Sequence, residues 1–280
     1  MSDLPLLLVQ TILLRPYVFL FLAAFVFSAQ RLLGWRRTGM FFLISWITAF
    51  LCEFSSTRTG IPFGSYYYTG STVGQELYIS NVPFMDSLSF TFLLYASYCM
   101  ALLFLLPVDS QSCTGRHPLR LRFELEARTS RPVIFLTALF YAFIDIVIDP
   151  VALRGDCWFL GQIYGYSYPG IYFGVPLENF IGWAVVGLVA LSGYCLVDRK
   201  LPPLPNAPDA NSDAAKTILL GCGLYYGVLA FNLAITFWIR EPLLGVTGVF
   251  IYLPITAFFF LRLLNKLPTS HHIPIRVSRT

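Results

Sequence analysis

Charged residues are scarce in this sequence: Asp, Glu, Lys and Arg together make up 12% of the 280 residues. A soluble globular domain carries about 25% charged residues. Hydrophobic residues account for 56% of the chain, and its mean hydropathy is +0.67. The composition therefore excludes an ordinary soluble domain and predicts an all-α, polytopic membrane helix bundle.

Histidine and the common cofactor motifs are also nearly absent. The histidines are His117, His271 and His272, and the six cysteines form no Cys-x-x-Cys pair. No Gly-x-Gly-x-x-Gly sequence opens a predicted helix, so the dinucleotide-binding fingerprint is missing. These absences argue against histidine-ligated metal and haem sites. They leave a carboxylate-bound divalent metal or, as we predict, acid–base chemistry with no metal and no cofactor.

Seven apolar segments are long enough to cross a bilayer. We predict them at Leu14–Leu33, Gly39–Phe54, Val82–Leu106, Pro132–Ile148, Pro176–Val197, Lys216–Ile239 and Pro242–Leu264. Of the 19 Lys and Arg residues, Arg15, Arg58, Arg154 and Arg240 fall on one side of this arrangement, and the other 15 fall on the opposite side. The positive-inside rule then predicts an external N-terminus and a cytoplasmic C-terminus. We expect a multi-pass protein of the cell membrane.

The segments outside the spans suggest a simple domain organisation. Residues 1–267 are predicted to form a single transmembrane domain, with polar cytoplasmic linkers at Ser110–Ser130 and Pro202–Asp213. Residues 268–280 are predicted to form a disordered cytoplasmic tail. The first apolar segment lacks a basic region ahead of it, which argues against a cleavable signal peptide.

Acidic residues gather at one end of the predicted bundle. Glu53 ends the second span, Asp86 begins the third, Asp145 and Asp149 end the fourth, and Glu178 begins the fifth. With the predicted topology, all five lie at the non-cytoplasmic end. An ionisable group in a membrane span is costly and is by default a functional hypothesis. These five acids are our candidate catalytic residues.

Some of these acids also have a structural explanation. Asp86 and Glu178 lie in first turns of helices, where the helix dipole favours a carboxylate. Asp149 precedes Pro150 and can simply close its helix, and Arg58 can pair with Glu53. Asp145 has no such explanation. It lies one helical turn from Asp149 on the same face, and two carboxyls this close resist ionising together. The pair is therefore predicted to keep one proton.

Two aromatic and glycine-rich stretches flank the acids. The first is Glu53-Phe-Ser-Ser-Thr-Arg-Thr-Gly-Ile-Pro-Phe-Gly-Ser-Tyr-Tyr-Tyr68, and the second runs from Tyr172 to Trp183. Aromatic side chains can line a cavity for an apolar ligand and can shelter a cationic intermediate. The candidate binding residues are Phe63, Tyr66, Tyr68, Trp158, Tyr172, Phe173, Asn179 and Trp183.

At these stretches the chain resembles the carotenoid 1′,2′-hydratase family. The matching pieces are Glu53, Thr59-Gly60, Pro62-Phe63-Gly64, Tyr66, Val82-Pro83, Asp149-Pro150, Trp158, and Tyr172 through Trp183 with Asn179-Phe180 and Gly182-Trp183. The match runs from about the second span to the fifth. The resemblance implies carotenoid biosynthesis, with water added across the terminal double bond of an acyclic or monocyclic carotenoid to give a tertiary alcohol.

The candidate residues suit this chemistry. Protonation of the terminal alkene by a carboxyl gives a tertiary cation, which water then captures, and no redox cofactor is needed. We assign the acid to Asp145 or Asp149 and the orientation of water to Glu53 or Asp86. The expected partners are the bilayer and a carotenoid of the lycopene, γ-carotene or bisanhydrobacterioruberin type. Other enzymes of the carotenoid pathway are candidate partners, and no nucleic acid is expected.

Two other functions fit parts of the sequence. An intramembrane prenyltransferase would use Asp145-x-x-x-Asp149 to hold Mg²⁺ and a prenyl diphosphate, and dependence on magnesium would identify it. A non-enzymatic, proton-coupled transporter would also carry membrane acids. Its polar residues should run through the whole bundle, whereas the acids here stop at one end.

Overall fold

The computed structural model describes residues 4–108, 119, 121–202 and 212–264. Within these ranges the chain forms a helical bundle with short strands in the loops at one end. The elements are α1 (Leu4–Leu14), α2 (Pro16–Thr59), β1 (Tyr66–Tyr68), β2 (Tyr78–Ile79), β3 (Val82–Pro83), α3 (Phe84–Leu105), α4 (Leu125–Arg128), α5 (Arg131–Ala152), β4 (Tyr164–Tyr166), α6 (Leu177–Asp198), α7 (Ser212–Trp238) and α8 (Pro242–Leu263). The predicted tail and most of the two predicted linkers lie outside the described residues.

Six helices of the described chain are long and apolar enough to cross a membrane, where we predicted seven segments. The difference lies in α2, whose 44 residues contain the second predicted span and all but the first two residues of the first. Gly34 interrupts this helix with non-helical dihedral angles (φ 75°, ψ 161°) that suit a residue without a Cβ. We call the parts before and after Gly34 the first and second limbs of α2.

The two limbs of α2 lie side by side. In a straight helix the side chains of Phe25 and Phe41 would be about 24 Å apart along the axis. Their ring centroids are 6.1 Å apart, and both rings contact Tyr95 of α3. The chain therefore reverses direction at Gly34, and α2 supplies two apolar limbs to the bundle. The orientation of the termini relative to the membrane remains a prediction.

Helix α3 forms the centre of the bundle. It packs against α2, α5 and α7, and nearly all of its residues from Met85 to Leu103 are buried. Its polar side chains are satisfied internally: Tyr95 shares a hydrogen bond with Ser28 Oγ (2.9 Å), and Tyr98 donates to the Arg128 carbonyl (3.1 Å). Because a buried polar group is costly when unpaired, these bonds fix the position of the helix within an apolar core.

A buried ion cluster joins three segments at the end of the bundle remote from the acids. Arg37 Nε of the second α2 limb donates to Asp198 Oδ1 at 2.6 Å, and Arg128 Nη2 lies 3.0 Å from the same carboxylate. Arg199 donates to Thr129, which ties the end of α6 to the start of α5. These contacts fix the helices at this end, so the loops at the other end are built on a rigid frame.

The loops at the acid-bearing end are held by two small antiparallel sheets. Strand β1 pairs with β4 in the register Tyr66↔Tyr166, Tyr67↔Gly165 and Tyr68↔Tyr164, and β2 pairs with β3. A Cβ at Gly165 would approach the Tyr67 hydroxyl to 3.1 Å, so glycine allows this ring to lie close over the paired strand. The pairing brings loops about 100 residues apart in sequence over the ends of α2, α3 and α5.

Candidate active site

A cavity of about 130 Å³ lies beneath these strands, among α2, α3, α5, α6 and α7. Four of the five candidate acids line it: Glu53, Asp86, Asp145 and Asp149. In the part of the chain that the structure describes, its lining contains no Lys, Arg or His residue. The cavity therefore has a polar part rich in carboxyls, and its remaining walls are almost entirely apolar or aromatic.

Glu53 and Asp86 share one tyrosine. The Tyr68 hydroxyl lies 2.9 Å from Glu53 Oε1 and 2.7 Å from Asp86 Oδ2. A phenol carries a single hydrogen, so both contacts can be hydrogen bonds only if one of the two carboxyls also carries a proton. Arg58, which the sequence offered as a partner of Glu53, donates instead to Asn81 Oδ1 at 2.9 Å. The three groups form a pair of carboxyls bridged by a phenol.

Asp149 is surrounded by hydrogen-bond donors. Tyr166 donates to its Oδ2 at 2.6 Å, Tyr164 donates to its Oδ1, and Asn179 Nδ2 lies 3.1 Å from Oδ2. A carboxylate that accepts three hydrogen bonds is well stabilised without a counter-ion. Asp149 lies within α5 and does not end the helix, which continues to Ala152.

Asp145 also accepts a hydrogen bond from the Asn179 amide, through one of its two carboxyl oxygens. Asn179 Nδ2 donates to Asp145 Oδ2 at 2.6 Å, so the two hydrogens of this amide serve both aspartates. Asp145 is fully buried, and its Oδ1 has no partner among the described residues. A protonated carboxyl would place its hydrogen on this oxygen. The geometry thus favours an ionised Asp149 beside a protonated Asp145.

The tyrosines that contact these carboxyls remain donors. Burial raises the pKa of the Tyr68 phenol well above its usual value, and the carboxyls of Asp86 and Glu53 raise it further. Burial likewise raises the pKa of Tyr164, with an added contribution from Asp149. A phenol with a raised pKa keeps its hydrogen at neutral and moderately alkaline pH, so these side chains donate to the carboxyls over that range.

Aromatic rings form the wall next to the carboxyls. Trp183 stacks on Phe90 with ring centroids 4.3 Å apart, and Phe63 and Tyr141 contact Trp183 at 6.3 and 4.7 Å. Gly182 allows this packing, because a Cβ at that position would lie 2.6 Å from Phe63. Ring faces stabilise cations, so this wall suits a positively charged intermediate.

The structure places most predicted site residues at the cavity and leaves three outside its lining. Phe63, Tyr66, Tyr68, Trp158, Asn179 and Trp183 line it, together with the four acids named above. Glu178 is exposed, and Tyr172 and Phe173 pack against each other away from the lining. Asn179 points inwards while Glu178 does not, because neighbouring helical residues are turned by about 100°.

Sequence analysis missed the two tyrosines of β4, Tyr164 and Tyr166. Their alternation with Gly165 is a short strand pattern, which could have been matched to Tyr66–Tyr68. It also missed a fully buried ion pair near the cavity, in which Arg15 Nη2 lies 3.1 Å from Glu76 Oε1 and Arg15 Nη1 donates to the Leu160 carbonyl.

The family model described as carotenoid biosynthesis protein matches residues 10–254, and the chain belongs to this family. Among characterised relatives, bisanhydrobacterioruberin hydratase of Haloarcula japonica is 28% identical over 219 residues. That alignment covers 76% of this chain and 62% of the relative, so the chain matches less than two thirds of the hydratase's length. No solved structure matches the chain. The family and the relative support a role in carotenoid biosynthesis.

Proposed function

We propose that this protein is a carotenoid 1′,2′-hydratase, which adds water to the terminal double bond of an acyclic or monocyclic carotenoid. The observation that carries the proposal is the buried pair of Asp145 and Asp149, bridged by Asn179 and lined by neutral donors. Such a pair holds one proton beside an apolar cavity, which alkene protonation requires. The relative's name, a hydratase of a carotenoid, supports the same reaction class.

Asp145 is the proposed acid. Its unpartnered Oδ1 gives a proton to the less substituted carbon of the terminal alkene, and the positive charge forms on the tertiary carbon. The ionised Asp149 nearby and the face of Trp183 stabilise this cation. Since all of these groups are fixed in the folded chain, little reorganisation is needed when the charge develops.

Glu53 and Asp86 are proposed to orient the attacking water. Water oxygen bonds to the tertiary carbon, and one water proton passes to a carboxylate of the site. One proton has left a carboxyl and one has returned, so the reaction needs no oxidant or reductant. Tyr68 holds the two carboxyls in place through its single hydroxyl.

Expression in a host that accumulates acyclic carotenoids tests this function. The expected product is a tertiary alcohol heavier by one water, detected by chromatography with mass spectrometry. Purified protein should form the same product anaerobically in excess chelator, and heavy-oxygen water should label the new hydroxyl. Activity that is lost with chelator and restored by Mg²⁺, with a prenyl diphosphate consumed, would instead favour a prenyltransferase.

A further inference from the structure

Six aromatic side chains form a wall on the side of the cavity where the first limb of α2 and α7 meet. This ring wall lies between the first limb of α2 and α7 and consists of Tyr17, Phe21, Phe92, Trp158, Phe159 and Phe231. Tyr17 and Phe231 are stacked with centroids 5.1 Å apart and planes inclined by 21°. Phe21 contacts Phe231 at 5.8 Å, and Trp158 contacts Phe159 at 4.8 Å. The wall is thus a continuous layer of ring contacts from α2 to α7.

The ring wall separates the cavity from an apolar outer surface. All of its members except Phe159 line the cavity. Phe159 is 51% exposed, and Leu20, one turn from Tyr17 on α2, is 71% exposed. Ala230 and Ala234, which flank Phe231 on α7, are also exposed. Exposed apolar residues of a spanning helix face the acyl chains of lipids, so the wall stands between the cavity and the bilayer.

The two helices are held together differently at their two ends. Near the reversal at Gly34, Ser28 Oγ donates to the Thr217 carbonyl at 3.3 Å and shares a hydrogen bond with Tyr95. At the ring wall, the described contacts between the first limb and α7 are ring contacts. The rings of Phe21 and Phe231 can change rotamer without leaving a backbone or polar group unpaired, whereas Trp158 Nε1 donates to the Val151 carbonyl (3.0 Å) and stays in place. The wall can therefore part at this end while the other end stays fixed.

The size of the cavity requires an exit for the substrate. An engineered cavity of roughly 150 Å³ accommodates a molecule of benzene, and the cavity here measures about 130 Å³. It can hold the end group of a carotenoid but not the long polyene behind it. The loop side is closed by the buried ion pair of Arg15 with Glu76 and by the paired strands β1 and β4. The ring wall is therefore the apolar side through which the polyene can leave the cavity.

We propose that the ring wall is a lateral portal, through which the end of a long apolar polyene enters from the bilayer. Tyr17, Phe21 and Phe231 then contact the polyene where it passes between α2 and α7, while its tail remains among the lipids. The identity of the ligand rests on the proposed function. The portal itself rests on the ring contacts, the size of the cavity and the apolar surface outside.

Photo-crosslinking tests the portal independently of catalysis. The photoreactive residue p-benzoylphenylalanine replaces Phe231 and, in a second variant, Phe21, in membranes of a host that accumulates an acyclic carotenoid. The matched control replaces Phe250 of α8, which is 67% exposed. Phe250 also lies at similar depth, since nearby Gly248 packs against Leu233 of α7. We expect carotenoid adducts at positions 231 and 21 and not at 250; equal labelling at 250, or none at 231 and 21, overturns the portal.

Kinetics provide a second measurement on the purified protein. Phe231→Ala removes one aromatic contact with the polyene and should raise the KM about fivefold, with kcat changed by less than about twofold. Phe250→Ala should leave both constants unchanged. An unchanged KM in Phe231→Ala overturns the portal when the wild type is active. Adducts at position 231 in a protein that hydrates nothing would instead keep the portal and reject the hydratase function.

Discussion

Asp145→Asn separates the proposed acid from a merely structural aspartate. Asp145 uses Oδ2 to accept from Asn179 and leaves Oδ1 without a partner among the described residues. The amide of asparagine can place its oxygen where Oδ2 lies and its NH₂ where Oδ1 lies, so the bond to Asn179 is kept. Because the protonated Oδ1 of Asp145 is already a buried donor without a described partner, the NH₂ adds no new unpaired group, and folding stability should change by no more than about 1 kcal/mol. The proton that the alkene needs is lost, and the rate should fall by about 10² to 10⁴.

Asp149→Asn is the informative comparison, because both oxygens of Asp149 accept hydrogen bonds from Tyr164, Tyr166 and Asn179. An NH₂ group in either position faces a donor, and an unpaired buried donor costs about 1 to 3 kcal/mol. We expect this variant to lose both stability and activity. The two variants thus differ in stability although the chemical change is identical.

The assay measures the ratio of hydrated to unhydrated carotenoid in cells, normalised to the protein level, together with thermal unfolding of the purified protein in detergent. Asp156→Asn, an exposed carboxyl in a nearby loop, serves as the control and should match the wild type. Near-normal product from Asp145→Asn at a normal protein level would refute the assignment. The acid role would then pass to Glu53 or Asp86.

Four further predictions follow from the same contacts. Tyr68→Phe should lower the rate at least about tenfold, because Glu53 and Asp86 lose the hydroxyl that bridges them; product formation in cells measures this, and an unchanged rate argues against water orientation there. Gly182→Ala should reduce activity, since its Cβ would lie 2.6 Å from the Phe63 ring and 2.7 Å from the Pro62 carbonyl oxygen; a Gly182→Ala/Phe63→Leu double variant relieves only the first clash, so full recovery would contradict a role for the backbone contact. Asp198→Asn should destabilise the protein by about 3 to 5 kcal/mol by leaving two buried arginines unpaired, measured by thermal unfolding. Reporter fusions after residues 201 and 266 should both report the cytoplasm, and opposite locations would contradict the predicted topology.

The parts of the site carried by helices could be predicted from the sequence. Asp145 and Asp149 lie one turn apart in an apolar run, so helix periodicity alone places both carboxyls on one face. Hydropathy likewise located the apolar segments, with a break between Leu33 and Gly39. The single 44-residue helix was not expected, because its two limbs meet at one non-helical residue without a separate loop.

The parts carried by loops could not be predicted in the same way. Tyr164 and Tyr166 reach Asp149 only because β4 pairs with β1. Arg15 reaches Glu76 across 61 residues of sequence. Such pairings depend on the folded frame, and local periodicity carries no information about them. The family motif did group Tyr172 and Phe173 with the site, and Glu178 was grouped with it as an acid at a helix start, but the direction of each of these side chains depends on packing that neither pattern encodes.

The dependence of the carboxyls on partners from other segments has a consequence for biogenesis. During insertion into the membrane, α5 would carry Asp145 and Asp149 before Asn179 of α6 and the tyrosines of the loops reach them. Each aspartate near the middle of an inserting helix costs about 2.5 to 3.5 kcal/mol, and less towards its end. The free-energy cost of inserting α5 is therefore lower when it enters the bilayer together with α6 as a helical hairpin. Asp145 and Asp149, the proposed catalytic pair, thus also influence the order in which the helices can be inserted and assembled.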